Sequence, residues 1–450
     1  MSKTLEQKLC KRSPGYSFLR NVLVRPAMYL YYRNIDVTGV ELVPNSGAVI
    51  FAPNHQNALM DALAIICTKD NQPVFVARAD IFKKPLLIAI LNFLRILPIY
   101  RKRDGGSSSD NNQETFELIL KVLDSQHSVG IMPEGVHNKV KRLQMLQKGI
   151  FRLAMQAQER YGNSPNIKII PVGIEYTNTK KFRSALSVRY GDVIEVSDYY
   201  DHFVENPARA YKLMQDKLAE KLKAAIIHID SEPNYVAIEQ LRTLYLKRAI
   251  QKNSLSVHSA EDRFQTQKKI ISVLQKYELD NPDEMSSLGC AVAEYFNIIQ
   301  KHNLRDWVIE RQPYTLAGIA GRGIFALLGF PFWILGMLFN YLPYKFSALS
   351  SRKVKDPQFI STVQFVAGLV LFPLYHFILI VLMVIFIPPL WGKFLAPATL
   401  LPLGLFAYRY YISMKKLGAQ FRFWATQQKQ EIKKAVELRK KIFEKMEEIF

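Results

Sequence analysis

Residues 48–61 read AVIFAPNHQNALMD. An apolar run of strand length ends at Pro53 and Asn54, and a helical pattern resumes within a few residues. Such a passage suits a buried strand of an α/β sheet turning into its helix. Ligands in α/β sheets usually lie at the carboxyl ends of strands, and His55 stands at that end, with Asp61 after QNALM. The spacing restricts how the two can meet. Six positions along one helix separate two residues by about 9 Å on nearly opposed faces. The pair meets only if His55 sits in the turn before the helix and Asp61 in its early part. An Asp so placed accepts a ring N–H, fixes the tautomer and stabilises the imidazolium. Alone, the spacing reads equally well as a structural His near an unrelated Asp.

Outward from this stretch, β-type and helical runs alternate between residues 35 and 230. IDVTGVEL, VFVAR, LPIY, VGIMP, IKIIPVGIEY and LSVRYGDVIEV join AVIFAPN as strands. Helical pieces are expected near 57–69, 83–93, 112–125, 148–160 and 206–228. The fold class is therefore α/β, a layered mixed sheet flanked by helices, with a helical module and C-terminal transmembrane helices appended. Three further segments sit at expected strand ends. PIYRKRDG brings Arg101, Lys102 and Arg103, IMPEG brings Glu134 and Gly135, and IIPVG brings Pro171.

Taken in order, these four segments resemble the four motif blocks of the glycerolipid (PlsC-like) acyltransferase family, over about residues 35–200. The resemblance departs from the usual pattern in two places. Five residues instead of four separate His55 from Asp61, and Glu134-Gly135 is followed by Val136-His137-Asn138, then Lys148-Gly149. Those departures are similar to the branch with fungal glycerol-3-phosphate and dihydroxyacetone-phosphate acyltransferases. The resemblance implies transfer of a fatty acyl group from a thioester, acyl-CoA or an acyl carrier protein, to a hydroxyl of glycerol 3-phosphate or lysophosphatidate. It implies no metal and no cofactor. An alcohol attacking a thioester needs a general base, and His55 is the well-placed His of the blocks, with Asp61 orienting it and no acyl-enzyme formed. Arg101 is the first choice for the acceptor's phosphate, followed by Lys102 and Arg103. The plain reading of that run is a solvated or lipid-facing basic edge. Glu134 bonds acceptor hydroxyls, holds Arg101, or caps its strand–helix turn. Gly135 permits close backbone approach. His137 replaces a donor of the usual motif or is simply exposed. Lys139, Lys141, Arg142 and Lys148 form a second basic cluster facing anionic lipid or the donor's phosphates. Pro171 shapes a turn beside the acyl channel.

The rest of the chain places this domain at a membrane. Of 450 residues, 60 are basic and 39 acidic, for a net charge of +21, yet 49% are hydrophobic. Disorder as the dominant state is excluded. The grease is late: residues 323–344, 359–390 and 394–408 carry no charged residue, and about 20 apolar residues suffice to cross a bilayer. His376, inside the second run, is expected to bond a neighbouring helix. Pro331 interrupts the first run, and Pro397 and Pro402 the third. With Lys345, Arg352, Lys353 and Lys355 after the first run and Arg409, Lys415 and Lys416 after the third, the positive-inside tendency favours a re-entrant or interfacial first segment and a spanning hairpin for the others.

The expected organisation is an interfacial N-terminal helix over 1–34, a catalytic domain over 35–232 and a helical module over 233–315. A membrane region over 320–411 and a charged helix over 412–450 follow. That last helix carries an apolar stripe at Ile432, Val436, Ile442, Phe443, Met446 and Phe450, suiting a coiled coil, a membrane surface or packing on the protein. Ser259 followed by Asp262 reads as a helix start. Cys10, Cys67 and Cys290 show no pairing or zinc spacing. The cations have no RNA-binding or zinc signature beside them, so the expected partners are anionic membrane lipid, an acyl thioester and a phosphate-bearing acceptor, not nucleic acid, at the cytoplasmic face of a membrane. A non-catalytic lipid-binding scaffold on the same fold is the competing reading.

Overall fold

The computed structural model describes residues 3–100, 108–137, 140–162 and 166–450. Among these, eight segments form strands: β1 Asn34–Thr38, β2 Val49–Pro53, β3 Val74–Arg78, β4 Ile96–Ile99, β5 Val129–Gly130, β6 Lys168–Tyr176, β7 Ala185–Tyr190 and β8 Ile194–Glu195. They make one sheet in the order β1-β7-β6-β2-β5-β3-β4, with β8 beside β6. Neighbours run parallel except β7 and β8, which are antiparallel to β6. This is the mixed sheet expected. Every residue of the central strand β2 is buried, as a parallel strand covered on both faces requires.

Ile50 and Ala52 of β2 share a core with Val74, Leu97, Val129 and Ile169, under the helices Ser108–Asp124, Gly149–Tyr161 and Pro207–Ala225. The second of these shows why. Ile150, Phe151, Leu153, Ala154 and Ala157 are buried while Arg152, Glu159 and Arg160 face out, an apolar face at helical period. Helix Pro207–Ala225 starts where Asn206 accepts the N–H groups of Ala208 and Arg209, with Pro at the first position. Pro171 is not in a turn. It lies inside β6, buried and in register with Ala52. Its carbonyl accepts the Gly191 N–H at 2.8 Å. A strand residue's N and O point to one side, so the missing donor falls in the gap between β7 and β8, where no ladder bond is lost.

At the N-terminus, residues 14–31 are helical, with a π-helical turn at Arg20–Val24. Tyr16, Arg20, Val24, Met28 and Tyr31 are buried, whereas Phe18, Val22 and Tyr29 are exposed. One face therefore packs on the domain and the other offers apolar side chains outward. Arg95, fully buried, anchors the preceding helix Lys3–Leu9 by donating to the carbonyls of Lys8, Leu9 and Lys11, orphan acceptors at a helix end. Gly15 stands beside the ring of Phe93. That ring closes an exposed apolar row with Leu86, Leu87 and Ile90 of helix Pro85–Phe93.

The chain divides into two compact units, residues 1–228 with Ser351–Phe365, and Ile229–Ser350 with Val366–Phe450. In the second, helices Tyr235–Lys252, Ala260–Asp280 and Pro282–Lys301 form a bundle. Ser259 does start its helix, accepting the Asp262 N–H at 3.1 Å. The tail alternatives resolve toward packing on the protein. Helix Gln430–Ile449 buries Ile432, Ala435, Ile442 and Met446 in this bundle, and Arg439 donates to Asp306 at 2.7 Å. A charged helix starting at 412 is corrected, because helix Leu390–Thr426 runs through that point unbroken. Its polar last turns continue the hydrogen-bond ladder that the apolar ones begin.

Among the described residues, three helices are long and apolar enough to cross a membrane: Leu316–Ser350, the run from Pro357 to Phe386, and Leu390–Thr426. The first is continuous through Pro331 and Pro343, so it makes no re-entrant bend at the proline. It packs along the third, where Gly336 faces the Leu403 carbonyl and leaves no room for a side chain. Asn340 donates to the Leu400 carbonyl at 3.1 Å and also bonds His376. His376 thus has the helix-to-helix bond expected of it.

Candidate active site

Three strand ends converge here, those of β2, β5 and β6. Helix Leu59–Thr68 begins just after the β2 turn, with Asp61 in its first turn and His55 ahead of it. The pair therefore meets in the only way its spacing permits. His55 Nδ1 lies 2.9 Å from Asp61 Oδ2. Asp61 is fully buried and His55 partly so. The same oxygen accepts the backbone N–H groups of Gln56 at 2.9 Å and Asn57 at 2.8 Å. The other oxygen accepts the Tyr176 hydroxyl at 2.7 Å. Burial first, and the neighbouring Asp61 next, push the Tyr176 phenol well above its ordinary range, so it stays a donor. A carboxylate that only accepts puts the proton on His55 Nδ1 and leaves Nε2 as the basic atom.

The turn between His55 and Asp61 is strained at one residue. Ala58, which caps the helix, takes φ 45° and ψ −125°, a region that glycine tolerates far better than alanine.

Glu134 is nearly inaccessible to solvent. One oxygen accepts the His55 backbone N–H at 2.9 Å and the other the Gln144 N–H at 3.0 Å. Burial raises its carboxyl above the usual range, against those two bonds. Of the alternatives for Glu134, the geometry matches a clamp on backbone. Gly135 has φ +66°, and a Cβ there would stand 3.1 Å from Gln147 Cγ. A turn and its neighbour demand this glycine.

His137 is not exposed to solvent as a loose side chain. Its ring lies against that of His55, centroids 4.1 Å apart at 37°, and Phe359 meets it edge-on at 5.1 Å. Burial, then His55, lower its imidazole to about 4. Lys148 is exposed at the start of helix Gly149–Tyr161. Lys141 pairs with Glu175 at 2.6 Å. Arg101, Lys102, Arg103 and Lys139 lie outside the described residues.

Several residues of this centre carry no sequence signal of their own. Asn54 receives the Ile174 N–H at 2.6 Å and donates to the Ile174 carbonyl at 3.1 Å, extending the β2–β6 ladder with its side chain. Asn57, Tyr176 and Ser361 likewise reach the pair only through the fold. Among the described residues, no cluster of three or more His, Cys, Asp or Glu suits a metal.

The α/β sheet thus holds a His–Asp pair at the carboxyl end of its central strand and a glutamate clamp after the neighbouring one. Residues 34–175 match the family described as Acyltransferase. Glycerol-3-phosphate O-acyltransferase 1 of Saccharomyces cerevisiae is 23% identical over 217 residues, covering 48% of this chain and 28% of that protein. The 1-acyl-sn-glycerol-3-phosphate acyltransferase of Borreliella burgdorferi is 26% identical over 210 residues, covering 44% of this chain and 76% of that protein. Among solved structures, the 1-acyl-sn-glycerophosphate acyltransferase PlsC of Thermotoga maritima aligns with TM-score 0.33 and 16% identity, over 48% of this chain and 84% of that one. The alignment thus spans little more than a quarter of the yeast relative's length.

Proposed function

We propose that this protein is a membrane-bound glycerophospholipid O-acyltransferase. It moves a fatty acyl group from a thioester to a hydroxyl of a glycerol-phosphate acceptor, glycerol 3-phosphate or lysophosphatidate. The observation that carries the reading is the His55–Asp61 pair, 2.9 Å apart on a buried carboxylate with three other donors. The activities named for the yeast and Borreliella relatives support the acceptor class.

In this mechanism His55 Nε2 takes the acceptor hydroxyl's proton as the oxygen attacks the thioester carbonyl. The tetrahedral intermediate collapses with loss of the thiolate, and the imidazolium returns the proton to sulfur. Asp61 holds the ring and balances the transient charge. No acyl-enzyme is needed. The acceptor's phosphate falls to Arg101, with Lys102 and Arg103 beside it and Lys148 as a further cation. Purified protein offered glycerol 3-phosphate and lysophosphatidate in parallel, each with acyl-CoA and acyl carrier protein donors, tests the reading. Acylated product from at least one pair is expected, and none from any pair contradicts it. Arg101→Ala should raise the acceptor KM, and a change confined to the donor KM would remove Arg101 from the phosphate site.

The exposed row Phe18, Val22, Leu86, Leu87, Ile90 and Phe93, with Lys83 and Lys84 beside it, supports seating of the domain on anionic lipid. Ser351–Phe365 is part of the first unit. This supports placing the loop after Leu316–Ser350 on the membrane face that carries the sheet, the cytoplasmic one. In a cysteine-free background, Lys353→Cys should react with an impermeant maleimide only from that face.

A further inference from the structure

We infer that the segment Ser351–Phe365 is a positioning strap for the catalytic pair, with Ser361 and Phe359 as its working residues. The inference rests on the acyltransferase reading above. The segment lies well outside the matched residues 34–175 and leads into the apolar helix Ile360–Phe386, yet it belongs to the same compact unit as the sheet.

Two separate lines run from it to the pair. On one, the Ser361 hydroxyl donates to Asn57 Oδ1. Asn57 in turn donates its backbone N–H to Asp61 Oδ2 at 2.8 Å. Ser361 and Asn57 are both buried, and the Asn57 side-chain amide also reaches the Thr179 carbonyl at 3.4 Å. With its side chain held from two sides, Asn57 keeps its N–H aimed at the carboxylate. On the other line, the Phe359 ring meets His137 edge-on at 5.1 Å, and His137 lies against the His55 ring at 4.1 Å. The strap is pinned beyond the site by Phe365, whose ring meets Tyr31 at 5.5 Å and 88°. One segment thus reaches the Asp through a single intermediary and the His through another.

A helix start that merely packs on the domain would fill space, and its truncation would lower stability alone. A strap that sets geometry acts on the chemical step, because small displacements of reacting groups are expensive. The test uses the full chain in phosphatidylcholine–phosphatidylglycerol vesicles, with labelled palmitoyl-CoA and either acceptor. Ser361→Ala and Phe359→Leu are each expected to lower the kcat of the folded protein roughly tenfold while leaving both KM values near wild type, and Ser361→Ala also lowers the melting point because buried Asn57 Oδ1 loses its donor. Unchanged kcat in both variants overturns the strap, as does a loss that only tracks unfolded protein or a rise in KM at constant kcat. His55→Ala is run alongside. A wild type no more active than His55→Ala defeats the acyltransferase reading, whereas an active wild type, a dead His55→Ala and two unaffected strap variants defeat the strap alone.

Discussion

Glu134 and His55 are joined through the backbone: a Glu134 oxygen accepts the His55 N–H at 2.9 Å while its partner oxygen holds the Gln144 N–H at 3.0 Å. The glutamate therefore ties the His55 turn after β2 to the loop after β5. Glu134→Ala leaves two part-buried donors without acceptors. Each such bond to a charged group contributes about 1.5–3 kcal/mol. Thermal melting should show a loss of about 3 kcal/mol or more, with kcat reduced. A variant as stable and as active as wild type would contradict the clamp.

Tyr176 supplies the one side-chain donor to Asp61 Oδ1 that the structure shows. Tyr176→Phe keeps the ring and removes that hydroxyl, leaving a buried acceptor short of a bond, at about 1–3 kcal/mol. Expected is a lower kcat with the acceptor KM unchanged. A rise in KM alone would place the hydroxyl on substrate instead.

His137 makes stability depend on pH in a definite direction. An unfolded histidine takes up its proton near pH 6.5, whereas burial holds the folded one down to about 4. Between these values the unfolded state binds more protons, so this contribution is complete above pH 6.5 and falls as pH drops toward 4. The charged and titratable neighbours His55, Asp61, Asp356 and Arg78 act on the same group. His137→Phe keeps a neutral ring and should flatten the decline of melting temperature over this range. Identical slopes in the two proteins would contradict the assignment.

At Gly135, the left-handed φ and the 3.1 Å approach of Gln147 act together. Gly135→Ala should destabilise the protein by about 1–2 kcal/mol, read by thermal melting. An unchanged melting point would show that the turn relaxes freely.

The sheet was legible because its strands are short apolar runs ending in turn residues, and AVIFAPN and IKIIPVGIEY carry that pattern plainly. The arrangement of His55 before a helix and Asp61 inside it followed from helix geometry. Pro171 misled, since a proline in a strand suggests a turn, and only the gap between β7 and β8 shows why β6 tolerates it. The continuity of Leu316–Ser350 through Pro331 was hidden for a related reason. A proline marks a possible break, and packing against a neighbouring helix decides whether one occurs. Tyr176, Asn57, Phe359 and Ser361 were beyond reach. They act through contacts between segments far apart in the chain, and Ser361 sits in a stretch whose composition speaks only of membrane.

The decisive experiment on His55 is acyl transfer by His55→Ala against wild type, both purified and reconstituted, with labelled acyl-CoA and both acceptors. The pair geometry predicts product from wild type and none above background from the variant, with equal melting temperature and equal recovery in membranes. Near-wild-type transfer by a folded His55→Ala protein would contradict the central claim.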